Sequence, residues 1–398
     1  MNHNNKISYL VGGKTVANRT FTPYDELLCE FLNDLSSELR SKKELVAYPD
    51  IMAFAFWCRK ANIAKLKKNF EDGKARLGLG LVFHITPSNV PINFAFSFVF
   101  GLLSGNANIV RVPSKSFPQI DIICATIDRL FDYDRYKDIK TMTTFVRYEQ
   151  NDEITAMFSS NCNARMIWGG DATIRGIRKL PITERCVDIA FSDRYSFCIL
   201  DAPSVIKLDT AALKRLAESF YNDIYLMDQN ACSSPHLIVW LGESDVITKA
   251  KKRFWDSVYG ITASKYNLQP VNAVDKYMLF CENAIELNNI TSFKKHGNYL
   301  YRIELDNLPD NVDYLRGKYG YFFEYNTQNV NSIAHIVNTK YQTLTYFGFD
   351  KSDLLNFVLK NRLLGIDRIV PVGEALDIGV IWDGYDIVRS LSRIIDIK

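Results

Sequence analysis

Short apolar runs alternate with helix-like segments along the first half of the chain. Four of these runs have the length and composition of buried strands: 81–85, 107–112, 143–147 and 164–168. Three segments beside them have the pattern of helices: 91–103, 119–131 and 152–160. Strands and helices that alternate at this pitch predict a parallel sheet with crossover helices.

A helical region at about 20–75 precedes this first sheet, and a second α/β layer follows the sheet along the chain. Pro203 is our candidate domain border. Strands are predicted at 196–200, 237–241, 277–281, 299–305, 343–349 and 368–370, and helices at 210–226, 244–259, 332–338 and 352–364. We therefore predict an α/β protein with domains at 1–200 and 201–370. A tail at about 371–398 is expected to pack back on the first domain or to lie at an oligomer interface.

Composition agrees with a folded, soluble protein. The chain has 398 residues, 47% of them hydrophobic and 23% charged, a length that favours two domains. Its 48 basic and 45 acidic side chains give a formal charge of +3 without a dense basic block, which argues against nucleic acid as a partner. The most apolar run, 91–103, is too short to span a bilayer, and residues 1–6 lack the pattern of a secretory signal.

The cysteines and histidines do not form a recognisable metal or disulfide pattern. Eight cysteines occur without a Cys-x-x-Cys pair, and five histidines without His-Glu-x-x-His, so neither a metal site nor a disulfide framework is predicted. This usage is typical of a reducing compartment, and we expect the protein to be cytoplasmic.

Two strand-to-helix turns are candidates for anion binding. They are 86–91, Thr-Pro-Ser-Asn-Val-Pro, and 168–173, Trp-Gly-Gly-Asp-Ala-Thr. Each would direct free N–H groups of a helix N-terminus at a phosphate or an oxyanion, although each could equally be an ordinary capped helix start. The dinucleotide motif Gly-x-Gly-x-x-Gly is absent, because Gly78-Leu79-Gly80 lacks the third glycine and precedes a strand.

Cys232 differs from the other cysteines in its surroundings. It lies in a polar stretch of small residues, 228–235, between a predicted helix and a predicted strand. The other seven cysteines lie mostly in apolar segments, where a thiol behaves as a small hydrophobic group, and that interpretation is available for Cys232 as well.

Four ordered segments give the chain a family resemblance. Residues 85–91 are similar to a Pro-Trp-Asn-x-Pro turn, 103–114 to a Gly-Asn-x-x-x-x-Lys-Pro-Ser strand, 168–170 to a nicotinamide-side turn, and Gln229-x-x-Cys232 to a Gly-Gln-x-Cys nucleophile. These motifs belong to the aldehyde dehydrogenase superfamily. Within it the sequence resembles the LuxC-type fatty acyl-CoA reductases of bioluminescence operons, whose C-terminal signature is similar to 368–373 and 382–386.

The resemblance implies a fold and a reaction. The fold would be aldehyde dehydrogenase-like, with two Rossmann-like domains: an NADP(H)-binding domain at 1–200, a catalytic domain at 201–370, and the active site at their interface. A Cys232 thiolate would attack an acyl thioester, and a nicotinamide hydride would then release an aldehyde. The Asn89 amide and the Cys232 N–H would hold the oxyanion. Helix N-termini and the cofactor would lower the pKa of the Cys232 thiol, while His236 is interpreted as structural.

The resemblance also indicates the cofactor. Val112 stands at the family's lysine position and Lys115 at the position of a ribose-binding glutamate, with Arg111 nearby. Cations there favour a 2′-phosphate and hence NADPH, unless Lys115 is merely solvated and both cofactors are used. The predicted cofactor-binding residues are Thr86, Pro87, Ser88, Arg111, Ser114, Lys115, Gly169 and Gly170.

One departure from the family pattern bears on the reaction. Oxidising members carry a general base in Glu-Leu-Gly-Gly-Lys, whereas the corresponding residues 187–194 keep neither the glutamate nor the glycines. We interpret the nearby Asp188 and Glu184 as surface carboxylates. Oxidation of a free aldehyde is therefore disfavoured, and retention of both Asn89 and Cys232 argues against a silent nucleotide-binding scaffold. The substrate would be an acyl-CoA or an acyl group delivered by a partner synthetase, and the protein a homo-oligomer.

Overall fold

The computed structural model describes residues 7–88 and 90–398, which divide into two compact units. The first comprises the chain up to Ser192 together with Tyr385–Lys398, and the second comprises Asp193–Gly384. The border precedes the predicted position at residue 200 because the strand Tyr195–Asp201 pairs with strands of the second unit. The predicted tail is divided between the two units, since the chain returns to the first unit at Tyr385.

The first unit contains most of the helices and strands of the N-terminal half. Its helices are α1 (Glu26–Ser41), α2 (Pro49–Trp57), α3 (Lys60–Phe70), α4 (Asn93–Leu103), α5 (Pro118–Leu130), α6 (Lys137–Thr141), α7 (Asp152–Ser159) and α8 (Asp171–Arg178). Its strands up to residue 192 are β1 (Ser8–Val11), β2 (Arg76–Gly78), β3 (Leu81–Ile85), β4 (Ala107–Arg111), β5 (Thr143–Arg147), β6 (Ala164–Trp168) and β7 (Val187–Phe191).

The predicted parallel sheet of the first unit is confirmed. Within the described residues, the strands follow the order β1-β5-β4-β3-β6-β7, and all neighbours are parallel except the edge strand β1, which is antiparallel to β5. Every residue of β3 and β6 is buried, as expected for strands covered on both faces. The sequence pattern did not reveal β1 and β7, because β1 is short and β7 mixes exposed and buried residues.

The second unit is built on a second sheet with its own helices. Its helices are α9 (Ala202–Lys207), α10 (Thr210–Tyr225), α11 (Ser244–Lys265), α12 (Pro270–Glu286) and α13 (Lys351–Lys360). Its strands are β8 (Tyr195–Asp201), β9 (Leu237–Leu241), β10 (Ile290–His296), β11 (Leu300–Leu305), β12 (Tyr321–Thr327), β13 (Tyr341–Phe347), β14 (Arg368–Pro371) and β15 (Ile381–Trp382).

The second sheet also has one antiparallel edge. In the part of the chain that the structure describes, its order is β10-β11-β12-β9-β8-β13-β14, parallel throughout except for the β10–β11 pair. Apolar residues from both faces of this sheet form two core clusters, one containing Trp240 and Trp255 and the other Tyr195 and Tyr341. The prediction of an α/β protein with two parallel sheets is thus confirmed.

Two predicted elements of the second unit are wrong. The run 277–281, predicted as a strand, lies inside α12, where Tyr277 and Met278 are exposed. A short apolar run cannot be distinguished from a helix segment by periodicity alone, and Pro270 at the first turn is typical of a helix start. The helix predicted at 332–338 is a 3-10 helix, Val330–Ile336.

The C-terminal residues complete the first unit. They form β16 (Tyr385–Asp386), α14 (Ile387–Ser390) and β17 (Ser392–Ile394), and β17 pairs antiparallel with β2. The Asn106 side chain fastens this segment by donating a hydrogen bond of 2.9 Å from Nδ2 to the Leu391 carbonyl oxygen.

Candidate functional site

The loop that carries Cys232 joins α10 to β9 through two residues of left-handed backbone. Asp228 has φ of 53° and Gln229 has φ of 60°. Residues other than glycine rarely adopt this conformation, so the surrounding contacts must hold it in place. The Tyr266 hydroxyl donates to Asp228 Oδ1 at 2.5 Å, and the N–H of Tyr319 donates to the Asp228 carbonyl oxygen at 3.2 Å.

Gln229 anchors this loop to the start of β12. Its buried side-chain Nε2 donates to the carbonyl oxygens of Pro235 at 3.0 Å and Tyr321 at 2.9 Å. Its Oε1 accepts from the N–H groups of Gly320 at 3.1 Å and Tyr321 at 3.0 Å. All hydrogen-bonding positions of the amide are therefore used inside the protein. The residue that the motif placed three positions before Cys232 holds the loop rather than contacting a ligand.

Ser196 fixes the backbone of Cys232 itself. The Ser196 hydroxyl donates to the Cys232 carbonyl oxygen at 2.7 Å and accepts from the N–H of Thr343 at 3.1 Å. Ser196 lies near the start of β8 and is fully buried. Cys232 is therefore held at the amino edge of the second sheet by a residue that sequence reasoning did not identify.

The Cys232 thiol lies in an environment that favours its neutral form. Burial raises its pKa, the carboxylates of Asp193 and Asp383 raise it further, and the Arg194 N–H and the Arg316 guanidinium act in the opposite direction. The expectation that helix N-termini and the cofactor lower this pKa stays a prediction; among the groups that act on the thiol, desolvation outweighs the Arg194 N–H and the Arg316 guanidinium.

Charged side chains around the loop are paired with one another. Arg316 Nη1 lies 2.8 Å from Asp193 Oδ1. Arg194 pairs with Asp367 and lies 4.0 Å from Asp383. The Asp383 carboxylate also accepts a hydrogen bond from Gln342, and burial raises its pKa. Ion pairing of this kind fixes the orientation of the groups that act on the thiol.

The two C-terminal signature segments meet in the second unit. The Arg368 guanidinium lies 4.3 Å from the centre of the Trp382 ring and donates to the carbonyl oxygens of Ala375 and Asp377 at 3.0 and 2.9 Å. Asp223, on α10, accepts from the N–H groups of Gly373 at 2.7 Å and Ala375 at 2.9 Å. The signature thus packs against the helix that precedes the Cys232 loop.

His236 is buried and neutral. Burial lowers its pKa to about 3, its Nδ1 accepts from the N–H of Gly317 at 3.3 Å, and its ring stacks on Tyr195. A histidine with this pKa cannot accept a proton from a thiol near neutral pH. The structure therefore supports the structural interpretation of His236.

In the first unit, three of the predicted segments end at one edge of the sheet. Ile85, Arg111 and Ile167 are register partners on the adjacent strands β3, β4 and β6. Thr86 directly follows β3, and the Gly169–Gly170 turn directly follows β6. Ser114 and Lys115 follow β4 after two intervening residues. Carboxyl ends of parallel strands are the usual place for a nucleotide in such sheets. Asn89 lies outside the described residues.

The individual side chains at this edge have distinct environments. The Thr86 hydroxyl donates to the Arg111 carbonyl oxygen at 2.7 Å. The Arg111 guanidinium lies 4.5 Å from the centre of the Tyr148 ring and donates to the Tyr148 carbonyl oxygen at 3.3 Å, while its buried Nε has no acceptor among the described residues. Lys115 and Ser88 are exposed, whereas Pro87 and Ser114 are half-buried.

A glycine forms the N-cap of α8. Gly170 has no side chain that could cap the helix, and Asp171 follows it in the first turn. A Cβ atom at Gly170 would meet nothing within 4 Å, whereas one at Gly169 would lie 3.3 Å from the Thr173 side chain. The N–H groups of the first turn can therefore bind an anion.

A buried polar chain holds the residue before this turn. Trp168 Nε1 donates to Ser97 Oγ at 2.9 Å, Ser97 Oγ lies 2.8 Å from His84 Nδ1, and His84 Nε2 lies 3.0 Å from Asn108 Oδ1. Because an amide oxygen only accepts, His84 Nε2 carries the proton and Nδ1 accepts from Ser97. Burial lowers the His84 pKa to about 4, so the ring stays neutral. Sequence reasoning missed this chain.

Asp188 lies at the amino end of β7, in the segment that corresponds to the general-base stretch of oxidising family members. Asp188 accepts two hydrogen bonds of 2.7 Å from the buried guanidinium of Arg165. The interpretation of Asp188 as a surface carboxylate is wrong, because it neutralises a buried cation, whereas Glu184 is exposed as expected.

Among residues 7–88 and 90–398, no helix is long and apolar enough to cross a membrane.

Comparison with protein families gives one family match. The model of the acyl-CoA reductase (LuxC) family matches residues 32–254. A curated relative, the long-chain acyl-protein thioester reductase of Vibrio harveyi, is 22% identical over an alignment of 341 positions that covers 79% of this chain. The aligned part spans 63% of that relative's length.

Comparison with solved structures establishes the fold. Aldehyde dehydrogenase 21 from Physcomitrella patens has a TM-score of 0.65 at 10% identity, with 93% of this chain and 85% of that chain covered. A NAD-dependent benzaldehyde dehydrogenase from Corynebacterium glutamicum has a TM-score of 0.64 at 14% identity, with 94% and 85% covered. The predicted aldehyde dehydrogenase-like fold is confirmed.

Proposed function

The chain belongs to the acyl-CoA reductase (LuxC) family, and from this premise we propose that it reduces an acyl thioester to an aldehyde with NADPH. The observation that carries the proposal is the placement of Cys232: a half-buried thiol on a loop whose backbone is fixed by Gln229 and Ser196. A nucleophile must be held within a fraction of an ångström of its attack geometry, and this loop is built to do so.

Cys232 forms the covalent intermediate. Its thiol loses a proton, and the thiolate attacks the carbonyl carbon of the thioester; the thiol of the leaving group departs and a thioacyl group remains on Cys232. The Asn89 amide and the Cys232 N–H hold the oxyanion of the tetrahedral intermediate, on the basis of the family resemblance. NADPH, when bound, would supply a hydride to the thioacyl carbon; the C–S bond to Cys232 then breaks, which releases the aldehyde and returns the Cys232 thiolate.

The chain's own residues hold the thiol largely protonated before substrate arrives. Burial dominates the Cys232 pKa, so the Arg194 N–H and the Arg316 guanidinium only partly offset desolvation. A protected thiol resists alkylation and oxidation between turnovers. Reaction therefore requires that substrate or cofactor binding favours the thiolate.

Thioester reduction is favoured over oxidation of a free aldehyde, which needs an activated water molecule. Residues 187–194 lack the glutamate that serves as the base in oxidising members. Asp188 lies at the amino end of β7, at the sheet edge opposite to the Gly169–Gly170 turn, and is engaged by Arg165 in two charge-assisted hydrogen bonds, so it does not replace that base.

Residues at the carboxyl edge of the first sheet fit a phosphorylated dinucleotide. The space around Gly170, where a Cβ atom would meet nothing within 4 Å, suits a phosphate bound by backbone N–H groups. The orphan Nε of Arg111 and the exposed ammonium of Lys115 are cations suited to a 2′-phosphate. Thr86, Pro87, Ser88 and Ser114 line the same edge, and these residues would hold the cofactor.

The substrate is an acyl thioester whose carrier is CoA or a protein. The Vibrio harveyi relative is named for an acyl-protein thioester, which supports a protein-delivered acyl group from a partner synthetase beside acyl-CoA. We include a cytoplasmic location and a homo-oligomer in this proposal.

The test is NADPH oxidation by the purified protein with acyl-CoAs of increasing chain length, with the aldehyde trapped in the product. We expect chain-length-dependent turnover that Cys232→Ala abolishes and Cys281→Ala, which removes another half-buried thiol, leaves unchanged. NADPH binding without turnover of any CoA or protein thioester would identify a silent nucleotide-binding scaffold, and absence of NADPH binding would contradict the proposed cofactor.

A further inference from the structure

Two cysteines that the proposed reaction does not use lie in contact in the first unit. The Sγ atoms of Cys162 and Cys186 are 3.8 Å apart. Cys162 is buried just before β6, and Cys186 is half-buried just before β7. One sulfur of the pair can therefore be reached from solvent while the other is sheltered behind it.

The backbone around the pair is already joined by hydrogen bonds. The N–H of Val187 donates to the Asn163 carbonyl oxygen at 3.2 Å, and the N–H of Cys186 donates to the Thr183 carbonyl oxygen at 3.0 Å. The Thr183 hydroxyl donates to the Cys162 carbonyl oxygen at 3.4 Å. These contacts keep the two thiols near each other, and a bond would shorten the distance between their Sγ atoms from 3.8 Å to about 2.05 Å.

The two thiols differ in reactivity. The hydrogen-bond contact between the two thiols lowers the pKa of Cys186 against the effect of burial, whereas that contact and burial raise the pKa of Cys162. The Asp188 carboxylate raises the pKa of both thiols and the Arg165 guanidinium lowers it, so this ion pair does not account for the difference between them. Cys186 is accordingly the thiol that ionises first and attacks, and Cys162 is the resolving thiol.

We propose that Cys162 and Cys186 form a reversible disulfide by exchange with low-molecular-weight disulfides such as oxidised glutathione. The Cys186 thiolate attacks one sulfur of the oxidant and releases one equivalent of its thiolate. Cys162 then loses its proton and attacks Cys186 Sγ, which releases the second equivalent. The pair loses two electrons and two protons, and the oxidant is reduced to two thiols.

The bond would close a covalent loop around a functional segment. Residues 163–185 contain β6, the Gly169–Gly170 turn and α8. The disulfide would therefore join the two ends of the segment that carries the N-terminus of α8. The bond would lie at the sheet edge opposite to the Gly169–Gly170 turn.

The experiment treats the full chain with oxidised glutathione, blocks free thiols by alkylation and maps tryptic peptides without reduction. Trypsin cleaves after Arg165 and Arg185, so Cys162 and Cys186 fall in different peptides. We expect a linked peptide pair, two hydrogen masses below the sum of its parts, that reduction with dithiothreitol separates. Cys162→Ser should retain glutathione on Cys186, because the resolving thiol is missing, and Cys186→Ser should leave Cys162 reduced.

Cys29 is the internal control in the same digests. It is half-buried like Cys186, but burial raises its pKa to about 11, so we expect it to remain unmodified. Modification of Cys29 as fast as Cys186, or glutathione that persists on Cys186 in the wild-type chain, would overturn the proposal. Circular dichroism of both serine variants verifies that the peptide maps come from folded protein.

Discussion

Gln229 and Tyr321 exchange two hydrogen bonds: the Gln229 Nε2 donates to the Tyr321 carbonyl oxygen at 2.9 Å, and the Tyr321 N–H donates to Gln229 Oε1 at 3.0 Å. The Gln229 amide thereby makes to Tyr321, the first residue of β12, the pair of hydrogen bonds that a neighbouring strand would otherwise make. A loop with two left-handed residues is held against a sheet by a single amide.

Replacing Gln229 should disturb both stability and the proposed reaction. Gln229→Ala leaves buried N–H and C=O groups without partners, and we expect the free energy of unfolding to fall by about 2 to 4 kcal/mol. Gln229→Glu keeps the accepting oxygen but places a buried carboxylate oxygen against the Pro235 and Tyr321 carbonyl oxygens, so its loss should be at least as large. Urea denaturation measures both variants, and equal stability of Gln229→Ala and wild type would contradict the assigned role.

Lys276 should make stability depend on pH above neutrality. Burial lowers its pKa to about 7, and its Nζ donates to the Tyr319 carbonyl oxygen at 2.6 Å. The unfolded chain binds this proton up to about pH 10.5, so stability should rise with pH between about 7 and 10.5 as the folded lysine becomes neutral.

The matched variant for this prediction is Lys276→Met. It removes the titration and keeps the length of the side chain, so the wild type should gain about 3 kcal/mol relative to Lys276→Met between pH 7 and 9.5. Urea denaturation at both pH values provides the comparison. Parallel pH profiles of the two proteins would show that Lys276 keeps its ordinary pKa in the folded state.

Ser97 connects Trp168 to His84, and its hydroxyl should be costly to remove. Ser97→Ala leaves the Trp168 N–H and His84 Nδ1 buried without partners, which should reduce stability by about 2 to 4 kcal/mol. Ser160→Ala is the control, since Ser160 is exposed and its hydroxyl bonds to the neighbouring Met157 carbonyl oxygen and Asn161 side chain. Equal losses of stability in the two variants would contradict a stabilising role for the buried hydrogen bonds of Ser97.

Lys115 should decide the choice between the two nicotinamide cofactors. We expect Lys115→Glu to weaken NADPH binding by about tenfold or more and to affect NADH binding much less, because the new carboxylate repels only the 2′-phosphate. Titrations with each cofactor measure this, with the exposed Lys179→Glu as a charge-matched control in the same unit. A wild-type preference for NADH over NADPH would contradict the prediction before any variant is made.

The sequence predicted the strands that are buried along their whole length. The bounds of 81–85, 164–168 and 237–241 agree with β3, β6 and β9, because full burial on two faces produces an uninterrupted apolar run. Partly exposed elements lack that signal. The apolar run at 277–281 lies in α12, which leaves several of its apolar residues exposed.

The candidate site follows the same division between local and distant signals. Cys232 and Gln229 were found from adjacent residues of one motif. Ser196 lies 36 residues from Cys232 along the chain, and Tyr321 lies 92 residues from Gln229. No local pattern marks such contacts, because they form only when strands and helices from distant segments pack together.

The pairing of β17 with β2 has a consequence for biosynthesis. Residues 76–78 are made early, whereas their partners at 392–394 emerge from the ribosome only after the whole second unit has been translated. During that interval β2 lacks its partner strand β17, and the Asn106 side chain lacks its hydrogen bond to the Leu391 carbonyl oxygen. The first unit thus begins to fold first and is completed last, so any interruption of translation within the second unit leaves it unfinished.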